Sequence, residues 1–334
     1  MSSLSVSVIV VNWNGIEYLE RCLRHLLAQT LKPERIFVVD NASTDGSDFF
    51  AENFPSVTLL RMDRNIGFAA ANNRACEVAT TEYVALLNPD AFARPDWLAQ
   101  LMLAANKSPG VSSFASRQMM AEHPEIVDGL GDSYHFTGLA WRAGYGRPLP
   151  PGACEPKSVF GACGAAALYR RQSLKDIGGF DEDFFCYFED VDVAFRLRLA
   201  GGECHLVPDA VVYHVGGGTA GGKRSAFSLY HGHRNLVWSF VKNVPGYLFW
   251  VLLPIHILQN ILVALLFICR GQCGVFFRAK WDAILGLRLA WIKRRKIQRY
   301  RIATIASIWR ALDRWPFGIC RLRDSLSMLS STRR

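Results

Sequence analysis

The sequence predicts an α/β protein, a sheet built from strand–helix repeats, with a mainly α-helical region at its C-terminal end. Three observations carry this reading. Strand and helix signals alternate through roughly the first hundred residues, polar residues fall at the carboxyl ends of the apolar strands, and composition changes sharply near residue 241. Half of the 334 residues are hydrophobic, which supplies a sizeable core. Residues 1–241 carry 21 basic and 26 acidic side chains, whereas residues 242–334 carry 17 and 3. The expected organisation is a folded α/β domain over 1–241 and a hydrophobic, basic helical region over 242–334 that associates with a membrane.

The elements follow in order. Val6–Val11 is a β-branched run that reads as a buried strand; it is too short, and lacks the basic flank, for a signal peptide. Ile16–Ala28 places Leu19, Leu23 and Leu26 on one helical face. Arg35–Val39 is a second strand, ending in Asp40-Asn41-Ala42-Ser43, and a helix around Asp48–Asn53 and a short strand at Val57–Arg61 come next. Ala69–Ala79 is helical, and Tyr83–Leu87 is a strand ending at Asn88-Pro89-Asp90. Such alternation implies a parallel sheet covered on both faces, with ligands beyond the carboxyl ends of its strands. Residues 117–158 are rich in Gly and Pro and read as a substrate-facing excursion. A small-residue strand is expected over Ser158–Tyr169, an amphipathic helix over Asp190–Ala200 and a strand over Ala210–Val215.

Tyr247–Cys269 is apolar over about a bilayer's thickness, interrupted by Pro254, His256, Gln259 and Asn260. An amphipathic basic region follows from Phe276 to about Leu312, with Lys293-Arg294-Arg295-Lys296 within it. Nine cysteines are scattered without a C-x-x-C pair, which fits a reducing compartment and argues against a zinc site.

Four places carry candidate chemistry. Asn88-Pro89-Asp90 sits at a strand end where a diphosphate would lie, and its oxygens suit a hard divalent cation; turn chemistry is the plainer account. Phe188-Glu189-Asp190-Val191-Asp192 sets three carboxylates beside aromatic residues, where one can take a proton from a hydroxyl. Helix capping explains one of them, and Asp192 with Arg196 has the spacing of a helical ion pair. His214 ends a strand ahead of Gly216-Gly217-Gly218, as a hydrogen-bonded residue or a further metal ligand. Gly217 to Lys223 approaches a phosphate-binding loop, but Arg224 stands where that loop needs Ser or Thr for magnesium. Lys223 and Arg224 better suit a loop closing over phosphates.

Six motifs in order resemble glycosyltransferase family 2, and within it the rhamnosyltransferase-like branch. They are Ser7-Val8-Ile9-Val10-Val11-Asn12-Trp13-Asn14-Gly15, Val39-Asp40-Asn41-Ala42-Ser43-Thr44-Asp45-Gly46-Ser47, Asn65-Ile66-Gly67-Phe68-Ala69, Leu86-Leu87-Asn88-Pro89-Asp90, Gly178-Gly179-Phe180-Asp181-Glu182 and Phe188-Glu189-Asp190-Val191-Asp192. The resemblance implies the GT-A fold and an inverting, metal-dependent transfer of a hexose from a nucleotide-diphosphate sugar, with dTDP-rhamnose among the donors. It implies Val11, Asn12, Asp40, Gly67 and Asn88 as donor-binding residues, Asp90 and His214 as ligands of magnesium or manganese, and Asp190 as general base. Glu189, Lys223 and Arg224 would then face the acceptor or the phosphates. Asn88 stands where the family has the first Asp of its metal motif, which leaves Asp90 as the direct ligand.

A helix spanning the membrane from a cytoplasmic domain would leave the basic region outside, against the positive-inside preference. A buried or re-entrant helix followed by a basic helix lying on anionic lipid avoids that conflict. The expected location is therefore the cytoplasmic face of a bacterial inner (plasma) membrane, peripheral or monotopic, with a lipid-linked saccharide as acceptor. The plainer account is a soluble core helix with a solvated basic tail. Nucleic acid is not expected as a partner, because long apolar and Trp residues interleave the basic ones. Two other classes compete: a catalytically silent relative that binds nucleotide sugar or lipid, and a nucleotide hydrolase dependent on Lys223.

Overall fold

The structure, a computed structural model, describes residues 5–149, 155–216, 225–269 and 273–315. The expected glycine-rich loop with Lys223 and Arg224 lies outside the described residues. Strand β1 (Val6–Asn12), helix α1 (Ile16–Leu27), β2 (Arg35–Asp40), α2 (Ser47–Glu52), β3 (Val57–Arg61), α3 (Gly67–Val78) and β4 (Tyr83–Leu87) form the expected alternating half. Next come β5 (Ala91–Ala93), α4 (Trp97–Lys107), β6 (Ser113–Met120), β7 (Val127–Gly129), β8 (Asp132–Tyr134), β9 (Ala140–Arg142), β10 (Lys157–Val159) and β11 (Ala166–Arg170). The chain continues with α5 (Arg171–Asp176), α6 (Glu189–Leu199), β12 (Cys204–His214), α7 (Ala226–Asn243), α8 (Gly246–Cys269), α9 (Cys273–Leu285), α10 (Leu287–Arg299) and α11 (Ile305–Ala311).

The main sheet runs β10-β12-β6-β11-β4-β1-β2-β3, with β5 on β12 and β7 on β6. Strands β4, β1, β2 and β3 are parallel to one another, and β11 joins them to the parallel pair β6 and β12 in the opposite sense. The sheet is therefore mixed. Because side chains alternate across a strand, Val6, Val8 and Val10 pack with α1, α2 and α4, while Ile9 and Val11 pack with α3, α5 and α6.

Three expectations change. The Ser158–Tyr169 strand is split into β10 and β11: Gly161 lies against α6, where an added Cβ would sit 2.4 Å from that of Ala194, and the chain leaves the sheet there. The expected amphipathic helix is α6, but it is buried on both sides. Val193 and Leu197 meet the sheet, and Val191, Ala194, Phe195 and Leu199 meet the C-terminal helices. The Gly- and Pro-rich stretch 117–158 contributes five strands or parts of strands, not only an excursion. The basic region resolves into α9, α10 and α11.

Helix α7 runs across the expected boundary after residue 241. Just past it, Lys242 is buried against Asp181 and lies 2.8 Å from Asp192, which also accepts from Arg196 Nε at 2.7 Å and Asn243 Nδ2 at 2.8 Å. Burial works against the Asp192 charge, but Arg196 and Lys242 hold its carboxyl below the usual range. Asp181 also pairs with Lys293 of α10. Substituting Lys242→Met leaves buried carboxylates short of a cation and should destabilise the protein by about 3–5 kcal/mol. Denaturant unfolding measures this; unchanged stability would mean that the cluster does not hold the two parts together.

Candidate functional site

A cavity of about 380 Å³ opens at the carboxyl ends of β1 and β4, and Val11, Gly67, Asn88, Asp90, Glu189, Asp190 and His214 all line it. Sheet register brings the distant residues together. In the β5–β12 pairing His214 faces Ala91, which sets its ring beside Asp90, and β7 hangs on β6 so that Asp128 reaches the same ring from the other side. His214 Nδ1 lies 2.8 Å from Asp128 Oδ2 and Nε2 lies 3.2 Å from Asp90 Oδ1. Arg142, on the β8–β9 hairpin, pairs with Asp128.

This arrangement fits a divalent cation. With Nδ1 donating to Asp128, Nε2 faces a carboxylate oxygen across a gap that a proton on Nε2 fills or, once that proton is lost, a cation can fill. Two ligands at about 2.1 Å from one ion, at right angles, stand about 3 Å apart. A histidine whose second nitrogen is held by a carboxylate is the usual support for metal ligation. Among the described residues no third His, Cys, Asp or Glu joins the pair, so diphosphate oxygens or water would complete the shell. Burial lowers the affinity of His214 for a proton, but Asp128 and Asp90 together raise its pKa above the ordinary value.

Asp190 stands at the first turn of α6. Its Oδ1 accepts from Val191 N at 2.8 Å and its Oδ2 from Gly164 N at 2.9 Å. Glu189 is buried; burial, and then the charge of Asp190, push its carboxyl well above the usual range. Asp132 is raised in the same way, with Arg142 opposing. Asp192 does not belong to the cavity: its oxygens serve the ion cluster described above. The helix cap expected from Glu189 or Asp190 is absent too, because Phe188 occupies the cap position in a left-handed conformation.

The loop before α6 is strained. Phe185, Tyr187 and Phe188 have φ of 63°, 64° and 69°, a region unfavourable for bulky residues. Buried Asn235 of α7 holds this loop, donating through Nδ2 to the carbonyls of Phe184, Cys186 and Tyr187 at 2.7–3.0 Å. Gly67 (φ +85°) lies so close that an added Cβ would fall 2.6 Å from Phe185. Burial raises the Cys163 thiol, which also lines the cavity, so it offers no thiolate nucleophile.

Two expected donor residues do not reach the cavity wall. Asn12 and Asp40 are buried behind it, where Asn12 Nδ2 donates to Asp40 Oδ1 at 3.0 Å and to Ser47 Oγ at 2.7 Å. Their neighbours Val11, Trp13 and Asn41 form the wall. Sequence reasoning missed Asp128, Asp132, Arg142 and Asn235. The one available signal was Asp128-Gly129-Leu130-Gly131-Asp132, two carboxylates in a stretch with no readable period.

Asp128→Asn should weaken Mn2+ affinity about 10- to 100-fold, measured by electron paramagnetic resonance of free Mn2+. In the wild type a proton on His214 competes with the metal, so affinity should rise with pH as that proton is lost. Pair and metal are unconnected if the variant binds normally and affinity is flat with pH.

Comparison with known proteins accords with this geometry. The sequence profile described as glycosyl transferase family 2 matches residues 7–178. The chain is 30% identical over 235 residues to the N-acetylglucosaminyl-diphospho-decaprenol L-rhamnosyltransferase of Mycobacterium tuberculosis, covering 62% of this chain and 75% of that one. Among solved structures, the mannosyltransferase PcManGT of Pyrobaculum calidifontis with GDP-Man and Mn2+ superposes with a TM-score of 0.52 at 20% identity, over 92% of this chain and 86% of its own. GalNAc-T7 with UDP, GalNAc and Mn2+ gives 0.58 at 18% identity over 72% of this chain; the match spans about half of that longer chain, 48%. A mixed α/β sheet of the GT-A type and a profile match over more than half its length establish that the chain belongs to glycosyl transferase family 2.

Proposed function

We propose that this protein is an inverting, metal-dependent hexosyltransferase that moves rhamnose or a similar hexose from a nucleotide-diphosphate donor to a lipid-linked saccharide. The observation that carries this reading is the convergence of Asp90, His214 and Asp190 on one cavity at the sheet's carboxyl edge. Its place would be cell-surface polysaccharide assembly at the cytoplasmic face of a bacterial inner membrane. Of the donors, dTDP-rhamnose is the first to test, given the rhamnosyltransferase named above.

Val11, Trp13, Asn41, Asn65 and Gly67 receive the nucleoside on this reading, with Asn12 and Asp40 holding the strand ends behind them. Asp90 and His214 would hold the cation, with Asn88 beside them. A divalent ion bound there neutralises charge that grows on the departing diphosphate. Asp190 takes the acceptor hydroxyl's proton as that oxygen attacks the anomeric carbon from the face opposite the diphosphate. One displacement inverts the carbon. Two backbone N–H donors fix the Asp190 carboxylate in place for the transfer.

The membrane part rests on α8, which is long and apolar enough to cross a bilayer by length and composition. Its inward stripe is Leu248, Phe249, Leu252, His256, Gln259 and Val263. Trp250, Ile257, Leu258, Ile261 and Leu265 point outward and are exposed, continuing into Phe277, Trp281 and Ile284 of α9. The polar interruptions at 256 and 259 thus face protein. His256 stacks on Phe240 at 4.0 Å and its Nδ1 meets Thr137 O at 2.7 Å, so mid-helix is packed on the α/β body. Packing of this kind favours a helix lying in the interface over one that spans. We assign 1–241 to catalysis and 242–334 to membrane attachment, with α7 shared between them.

The purified protein should transfer sugar from one member of a nucleotide-sugar panel to a polyprenyl-diphosphate saccharide, with Mn2+ or Mg2+ required and a chelator abolishing turnover. Asp190→Asn should cut kcat about 10²- to 10⁴-fold while calorimetry shows donor binding intact; undiminished turnover would remove the assigned base. In vesicle flotation the wild type should bind anionic liposomes, and the double substitution Ile257→Glu with Leu265→Glu should reduce the bound fraction at least about tenfold. Equal flotation of both proteins would place attachment elsewhere.

A further inference from the structure

Among the described residues, two carboxyl oxygens at the cavity wall have nothing to accept from. Asp132 is 5% exposed and Glu189 6%, both line the cavity, and among the described residues neither Asp132 Oδ2 nor Glu189 Oε2 has a hydrogen-bond partner. Such groups carry a desolvation cost and are rare without a reason. The same helix shows how a structural carboxylate is satisfied: Asp192, three residues beyond Glu189, takes Arg196, Lys242 and Asn243. Asp132 and Glu189 lack such partners at Oδ2 and Oε2 among the described residues, and both feel the charge of Asp190.

The chemistry of the missing partner follows from the surroundings. A second cation is disfavoured because Arg142 faces Asp132 across the β8–β9 hairpin. Burial and the charge of Asp190 disfavour ionisation of both carboxyls, so they suit neutral hydroxyls, which can donate as well as accept and add no charge. Trp141 and Tyr187 also line the cavity, and aromatic side chains suit an apolar surface. Adjacent hydroxyls joined to an apolar face describe a pyranose. Two sugars meet in this site, and position separates them. The nucleotide end is built from β1, β2 and the start of α3, whereas Asp132 and Glu189 belong to the hairpin and to the first turn of α6, next to the assigned base. We infer that Asp132 and Glu189 bind the acceptor saccharide through its hydroxyls and hold it against Asp190. This rests on the transferase reading above and extends it to acceptor recognition.

The inference separates binding from folding. A carboxylate kept for structure loses stability when neutralised, whereas one kept open for a ligand gains it. With full-length protein in detergent, a farnesyl-diphosphate-linked N-acetylglucosamine acceptor and dTDP-rhamnose, Asp132→Asn and Glu189→Gln should each raise acceptor KM about 10- to 100-fold, the loss expected when a buried hydrogen-bonding partner is mismatched. Donor Kd with Mn2+, from calorimetry, should stay within about twofold, and Tm should equal or exceed that of the wild type. A lowered Tm would make these residues structural, and weakened donor binding with unchanged acceptor KM would move them to the donor sugar; either result overturns the inference. If the wild type transfers no sugar, the transferase reading fails first. Calorimetric binding of the same acceptor to wild type and Asp132→Asn, in the presence of dTDP, then still decides: equal affinity overturns the proposal and a tenfold loss supports it.

Discussion

Burial of α6 on both of its sides is the constraint from which the rest of the molecule follows. One face belongs to the sheet core and the other to a core shared with α7, α8, α10 and α11. A helix wedged in this way cannot shift to suit its polar residues, so the acidic groups of its first turn stay where the packing puts them. The positive end of the helix compensates part of their mutual repulsion. Asp192 is neutralised by cations from α6 and α7, and this leaves Glu189 and Asp190 to face the cavity.

That arrangement makes the C-terminal helices part of the site. Asn235 of α7 fixes the loop over the cavity, and Lys242 and Lys293 close the ion cluster around Asp181. The region with the outward apolar surface is thus joined to the cavity carboxylates through a few buried polar contacts. Many of the exposed large apolar side chains lie beyond residue 246, and a single helix, α7, carries the chain across the boundary expected at residue 241.

The parallel half of the sheet was legible because each strand is apolar, short and followed by a helical period, all local signals. Asp90, Asp190 and His214 were legible for a related reason: each ends or begins an element in a recognisable stretch. Asp128, Asp132 and Arg142 were not, because they arrive on strands of only three residues: β7 hangs on β6, and β8 and β9 pair with each other in a separate two-stranded sheet. Asn235 looks like any polar residue on a helix until the loop it clamps is seen. The double burial of α6 was hidden likewise, since half of its partners come some fifty residues later. In α8 the inward stripe at 252, 256, 259 and 263 has helical spacing, but a helix apolar nearly all round does not announce which side is inside.

The left-handed residues Phe185, Tyr187 and Phe188 have a consequence for affinity. Each such conformation costs of order 1–2 kcal/mol, and the cost is met when the chain folds, through Asn235 and the contact with Gly67. An arriving sugar therefore finds this rim already rigid and surrenders little of its binding energy to ordering it. Selectivity in such a pocket comes from shape that exists beforehand, and a ligand of the wrong outline meets a wall that does not yield.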